Sequence, residues 1–317
     1  MRKSQATLSE ICEQWLQEKS DYVKPTTISA YQYLVHHYIT PHFRNKRMFT
    51  ENNVQEYCVM MHQTGLSNKT ISDILMVIRM INRYGAKCSY WKHQKWDIHL
   101  CPGRKTNRIQ VLSAHDHKRL LDYVTQQVSP KATGIYLSLT MGLRMGEVCG
   151  LKWSDIDMRE HILHVRRTVS RMYGTDTKGN KTILCIGEPK TQQSMRDIPV
   201  HPSTMKILSK LYRPSFKNFF VVSNCERPID PRTYRSYFKR LMTTLEMPDI
   251  RFHDLRHSFA TRCLEQMCDY KTVSSILGHA NITTTLNLYV HPDMTQKRKC
   301  LNRMMSFSPT HQNEHLS

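Results

Sequence analysis

"HDLRHSFAT" occupies His253 to Thr261, and its reading decides what the rest of the chain is for. If it is helical, residues three and four apart share a face, so His253 stands beside Arg256 and His257. Two histidines at spacing four fit a zinc ion, whereas His and Arg at spacing three fit a phosphate. Helical zinc sites of the hydrolytic kind carry a glutamate beside the first histidine. Asp254 stands there instead, and the spacing offers no third ligand.

Charge favours the phosphate. Over 317 residues, 46 Lys and Arg oppose 26 Asp and Glu, a net charge of +20 with histidine neutral. Such an excess calls for a polyanion, and nucleic acid is the natural one. A membrane surface is the rival partner, but no basic amphipathic segment or lipidation motif supports it. The N-terminal "MRKSQATLSE" has charge without an apolar run behind it, and no stretch approaches the roughly 18 apolar residues of a membrane span. Ten cysteines lie scattered with no Cys-x-x-Cys, the nearest pair being Cys263 and Cys268, which fits free thiols in a reducing compartment. The expectation is a cytoplasmic protein with no membrane partner.

Length favours two domains. Residues 7 to 84 read as four helices. Thr7 and Glu10 make a capping box ahead of Leu8, Ile11, Trp15 and Leu16. Pro25 opens a second helix through Ile28, Tyr31, Leu34, Val35 and Tyr38, with Pro41 closing it. Thr50 caps a third, bearing Val54, Tyr57, Cys58 and Met61, and Ser67 or Asn68 starts a fourth with Ile71, Ile74, Leu75 and Ile78. From Arg79 to Arg108, eight Lys or Arg face the single acid Asp97 and interleave with Tyr84, Tyr90, Trp91 and Trp96. A solvated linker accounts for that run, and so does a hinge lying against phosphates.

A second domain opens with a helix at 112–128. Residues 133–150 read as one apolar helix holding Arg144 and Glu147, and "ILHVRRTVSRM", "KTILCI" and "MRDIPV" as three strands, with "GEPKTQQS" as a hairpin turn between the last two. Helices follow at 202–211, 231–245, 253–268, 270–277 and 283–290. The fold class is mostly α with a small antiparallel β-sheet.

Taken in order, Arg144 in "TMGLRMGEVCGLKWSDID", Lys190 in "EPKTQQSMRDIPV", His253 and Arg256 in "HDLRHSFAT", His279 in "LGHANITTT" and Tyr289 in "LNLYVHP" resemble the boxes of the tyrosine recombinase family, the phage integrases and their relatives. "VKPTTISAYQYLVHHYITPHF" and "GLSNKTISDIL" resemble that family's helical core-binding domain. The resemblance covers essentially the whole chain. It implies a core-binding domain over 1–88, a basic linker over 89–110, a mixed α+β catalytic domain over 111–292 and a tail over 293–317. Met294, Leu301 and Met305 recur in that tail at roughly helical spacing, an apolar stripe that fits packing on its own domain and, as the resemblance implies, docking on a neighbouring protomer.

The implied reaction is DNA strand cleavage and rejoining through a 3′-phosphotyrosine. Arg144 and Arg256 would hold the nonbridging oxygens, which gain charge under attack. Tyr289 would be the nucleophile, its hydroxyl having an ordinary pKa near 10 and needing a proton acceptor, for which His253 is placed. Lys190 would protonate the departing 5′-oxygen, and His279 would complete the phosphate cradle. His257, Asp254 and Ser258 read as structural supports. Each residue has a plainer reading as well. Arg144 stands three before Glu147, a spacing for a surface ion pair, although its apolar surroundings speak against an idle one. Lys190 sits in a turn, where lysines are usually solvated. Tyr289 has rivals in Tyr234 and Tyr270, which no motif supports.

The implied partners are double-stranded DNA bearing inverted core sites, a homotetramer assembled on it, and a directionality factor where direction is controlled. No metal or cofactor is implied, and the setting is a bacterial or phage-encoded protein associated with the nucleoid. The core-binding pattern begins within the first ten residues, so no arm-binding domain is expected ahead of it. "PHFRNK" lacks the glycine often found after "PH" in such helices. The ten-residue step from His279 to Tyr289 is closer to phage and transposon integrases than to enzymes that resolve chromosome dimers. The latter, a type IB topoisomerase and a non-cutting regulator of the same fold remain the alternatives.

Neutralising Lys92, Lys95, Arg104 and Lys105 together is expected to flatten the slope of log affinity for DNA against log salt, by up to about one unit per lost phosphate contact. An unchanged slope in salt-dependent binding measurements would return the segment to the role of solvated linker.

Overall fold

A computed structural model describes residues 6–103, 110–174, 182–189, 191–278 and 294–305. Its contacts group into two units, Met1–Arg108 with Arg171–Ile183, and Ile109–Ser170 with Leu184–Ser317.

The first unit is built on helices α1 (Leu8–Ser20), α2 (Pro25–Leu34), α3 (Thr40–Phe43), α4 (Glu51–Gln63) and α5 (Asn68–Lys87). The Thr7–Glu10 capping box forms in both directions, and Ser67 caps α5 by accepting from the Thr70 N–H at 3.2 Å. The apolar stripes meet in one core around Ile11, Trp15, Val35, Ile39, Phe43, Val54, Ile74 and Ile78. Pro41 does not end the second helix. Residues Val35–Ile39 widen into a π-helical turn, closed by the Thr40 N–H on the Val35 carbonyl, and the chain stays helical to Phe43. The wider turn absorbs the hydrogen bond that proline cannot donate, and the Tyr57 hydroxyl donates to the Tyr38 carbonyl at 2.7 Å.

Residues 89–103, read from the sequence as linker, lie back along these helices. Trp91 donates to the Asn82 carbonyl at 3.0 Å, Asn68 to the Cys101 carbonyl at 2.6 Å, and Gln55 exchanges two bonds with the His99 backbone. The interleaved aromatics are therefore packing residues, while Lys92 and Lys95 remain exposed. Arg104 and Lys105 lie outside the described residues.

The second unit centres on α7 (Pro130–Met141), which is buried on nearly every side, as a core helix must be. Around it are α6 (Ala114–Gln126), α9 (Pro202–Leu211), α10 (Pro231–Thr244), α11 (Phe252–Glu265) and α12 (Tyr270–Leu277). The single helix expected over 133–150 is two. Gly142 takes a left-handed conformation at φ 66°, and an added Cβ would lie 2.6 Å from Leu277 and 2.7 Å from Phe259. The chain turns there, Arg144 is extended, and α8 (Met145–Gly150) begins after it.

The strands also differ from the expectation. "ILHVRRTVSRM" divides into β2 (Ile162–Val165) and β3 (Thr168–Tyr173), because Arg167 turns aside to pair with the buried Asp155. With β1 (Ile156–Asp157), β4 (Thr182–Gly187) and β5 (Arg196–Pro199) they form two sheets, β1-β2-β5 and β3-β4. In the first, antiparallel register sets Leu163 opposite Ile198 and Val165 opposite Arg196. "GEPKTQQS" consequently joins two sheets and is not a hairpin turn; Lys190 within it lies outside the described residues. So does the helix expected over 283–290. The tail helix α13 (Met294–Met305) is formed, with Met294, Leu301, Met304 and Met305 all exposed. No helix among the described residues is long and apolar enough to cross a membrane.

Candidate active site

The turn at Gly142 places Arg144 at the mouth of α8, while α11 brings Arg256 to the same point from below. Arg256 is 1% exposed and donates from Nη1 to the Gly142 carbonyl and from Nη2 to the Leu277 carbonyl, both at 2.7 Å. Arg144 reaches the Leu277 carbonyl at 3.3 Å and the Gly278 carbonyl at 3.0 Å. The last carbonyls of α12 have no partner within the helix and sit at the negative end of its dipole. Both guanidiniums converge on them.

A third arginine, passed over in the sequence, completes the group. Arg196 forks onto Glu147 with both bonds at 3.0 Å, donates from Nη1 to the Ser194 carbonyl at 3.0 Å, and donates from Nε to the Ile276 carbonyl. Glu147 also accepts from Arg144, at 2.7 Å from Nη1 and 2.9 Å from the backbone N–H. The Arg144–Glu147 pair therefore exists, but not on a surface, because Glu147 is buried. Burial alone would raise its carboxyl pKa. Hydrogen bonds from Arg196 and the charges of Arg196 and Arg144 outweigh that and hold it below the ordinary value.

Arg256 feels the opposite imbalance. Burial and the neighbouring Arg144 and Arg196 charges push its pKa down to about 8, against the help of Glu147, and its Nε–H has no acceptor among the described residues. A guanidinium keeps its proton even so, and the shift measures an unmet demand for negative charge.

His253 stands at the edge of this cluster. Its outer face is exposed, while burial of the inner face, the His257 ring and the Arg256 and Arg144 charges lower its pKa to about 4. At neutral pH it is thus an uncharged proton acceptor. The His257 ring meets it edge-on, with centroids 4.6 Å apart at 89°. Asp254 is fully buried and accepts from the Arg251 backbone and guanidinium, fixing the start of α11. Ser258 accepts from the Leu112 N–H at 2.9 Å, anchoring the helix below the site.

The structure thus brings together Arg144, Arg256 and His253 of the six residues singled out in the sequence. Lys190, His279 and Tyr289 lie outside the described residues. Gly278, just before His279, is left-handed at φ 64°, and a Cβ there would lie 3.0 Å from the Arg196 side chain. Arg196 was legible in principle. In "RDIPV" the buried Ile198 and Val200 set an inward face, and strand alternation puts Arg196 on it, where a cation needs a carboxylate.

Comparison with known proteins identifies the family. The Phage integrase family model matches residues 110–296, more than half of the chain, and the model for the phage integrase N-terminal SAM-like domain matches 7–58. A tyrosine recombinase XerC-like protein of Caldanaerobacter subterraneus subsp. tengcongensis is 26% identical, across 94% of this chain and 82% of that protein. The ICEBs1 integrase of Bacillus subtilis is 21% identical, across 84% and 74% respectively. The structure of the Tn1549 transposon integrase in complex with transposon right end DNA shares the fold, at TM-score 0.73 and 22% identity over 95% of this chain and 100% of that one. With two matching domain models in order and a double-arginine centre inside the larger match, the chain belongs to the phage integrase family of tyrosine recombinases.

Proposed function

We propose that the chain is a site-specific recombinase that cleaves and rejoins DNA strands through a 3′-phosphotyrosine, serving the integration or excision of a mobile element. The observation that carries this reading is the convergence of Arg144 and Arg256 on one carbonyl, Leu277, two residues before His279. Their remaining N–H groups suit the nonbridging oxygens of a phosphodiester. Tyr289 attacks phosphorus, neutral His253 takes the phenolic proton, and the P–O bond to the 5′-oxygen breaks as Lys190 supplies a proton to it. His279 holds the phosphate. The phosphotyrosine keeps the bond energy, so attack by the 5′-hydroxyl of another strand restores a phosphodiester without ATP.

The partners are double-stranded DNA with inverted core sites and three further copies of the chain, with a directionality factor as an accessory. The net charge of +20 and the DNA complex of the Tn1549 integrase support the DNA partner. Chromosome-dimer resolution, left open by the sequence, is the second reading. Sequencing the DNA that flanks the gene separates the two, since terminal repeats or an attachment site identify a mobile element.

On a nicked duplex carrying the attachment site from that flanking DNA, Tyr289→Phe is expected to bind but form no covalent adduct. Arg144→Ala and Arg256→Ala should each slow single-turnover cleavage on the order of a hundredfold or more. An adduct in the phenylalanine variant, or near-normal rates in the alanine variants, would contradict these roles.

His253 should remain neutral in the free protein from pH 7 down to 5 and take its proton only as pH falls through about 4. In the unfolded chain it protonates near the ordinary 6.5, so its contribution to stability is present above that value and is lost as pH falls toward 4. An NMR titration of the ring showing a midpoint near 6.5 in the native protein would refute the environment described.

The exposed Met294, Leu301, Met304 and Met305 leave α13 with an apolar face, suited to a neighbouring catalytic domain in the tetramer. Deleting residues 294–317 should preserve binding to a single site while abolishing two-site complexes and recombination. Normal tetramers from the truncated protein, seen by native gel or light scattering, would rule this out.

A further inference from the structure

Among the described residues, the centre gathers three guanidiniums, Arg144, Arg196 and Arg256, around one carboxylate, Glu147. Two positive charges are left unbalanced. A phosphodiester carries one negative charge at rest and approaches two when a fifth oxygen adds to phosphorus. Positive charge in excess of the substrate's own favours the species to be stabilised over the resting phosphodiester.

Arg196 is what keeps the excess at two. It takes Glu147 through both carboxylate oxygens, so that Arg144 shares only one of them with its guanidinium. Without Arg196 the carboxylate would be free to fork onto Arg144 and draw it from the phosphate. Arg196 is itself buried, with its stem against Gly278 and its Nε on the Ile276 carbonyl, too deep to reach a substrate.

We infer that Arg196 is a positioning residue for strand cleavage, which holds Glu147 neutralised so that Arg144 presents its charge to the scissile phosphate. This rests on the recombinase reading above.

The test uses the full chain and the same nicked duplex, with urea midpoints taken for every variant. Arg196→Met lowers the excess to one charge and should slow single-turnover cleavage on the order of a hundredfold, with DNA affinity near wild type. Arg196→Met combined with Glu147→Gln restores an excess of two. It should recover at least tenfold of that loss under conditions where the urea midpoints show both variants fully folded, so that regained stability does not account for the recovery. Arg196→Lys keeps the charge and should stay within about tenfold of wild type. If Arg196→Met does not fold, the decision falls to Arg196→Lys and the double variant, both of which should then cleave within about tenfold of wild type. A double variant as slow as Arg196→Met, or a folded lysine variant as slow, would overturn the proposal. Absence of any adduct with the wild-type protein would instead remove the recombinase reading, and this proposal with it.

Discussion

The Glu147 carboxylate, held by Arg196 through both oxygens and by the Arg144 guanidinium through one, is the contact on which the rest of the centre depends. A buried carboxylate stays ionised only if cations and hydrogen bonds replace its water, and here each oxygen has at least two donors. Because its partners come from the start of α8 and from β5, the one contact joins a helix to a sheet. Arg196 then carries the tie to the end of α12 through the Ile276 carbonyl. Losing one partner from such a group typically costs about 3–5 kcal/mol, so the site and the stability of this unit are not separable quantities.

The backbone had to be broken to allow this. An uninterrupted helix over 133–150 would have made Arg144 one more side chain on a helix buried nearly all round. The left-handed Gly142 ends α7, frees its own carbonyl for Arg256, and lets the extended Arg144 donate its backbone N–H to Glu147. The same residue must lack a side chain because Phe259 and Leu277 pack against it. One glycine therefore sets the conformation, supplies an acceptor and admits the neighbouring helices.

Much of this was legible in the sequence, and the failures share a cause. Stripes such as Ile11–Trp15 and Ile71–Ile78 announce helices because a 3.6-residue period repeats locally. The arginine, histidine and tyrosine boxes announce the family because each is a short run readable by itself. What escaped were effects decided by distant partners. Pro41 fails to end a helix because a π-turn precedes it, and a strand divides at Arg167 because Asp155 is buried elsewhere. Trp91 and Trp96 look like a nucleic-acid surface until the helices beneath them are known. Arg196 was missed because its carboxylate lies forty-nine positions earlier, and no window that short of the whole domain contains both.

A centre with more positive than negative charge is a cost to the folded protein, and it is kept in check by weaker acceptors. The carbonyls ending α12 offer about half an elementary charge in all, which is too little to balance two guanidiniums. They orient Arg144 and Arg256 without saturating them, which is why burial and neighbouring cations still weigh on Arg256. Like-charge repulsion of this kind is electrostatic strain held in place by packing, and it is relieved only by an anion. The relief grows with the negative charge of that anion. A phosphate that gains charge along the reaction is therefore stabilised more at its transition state than at rest, which is the condition for accelerating its cleavage rather than merely binding it.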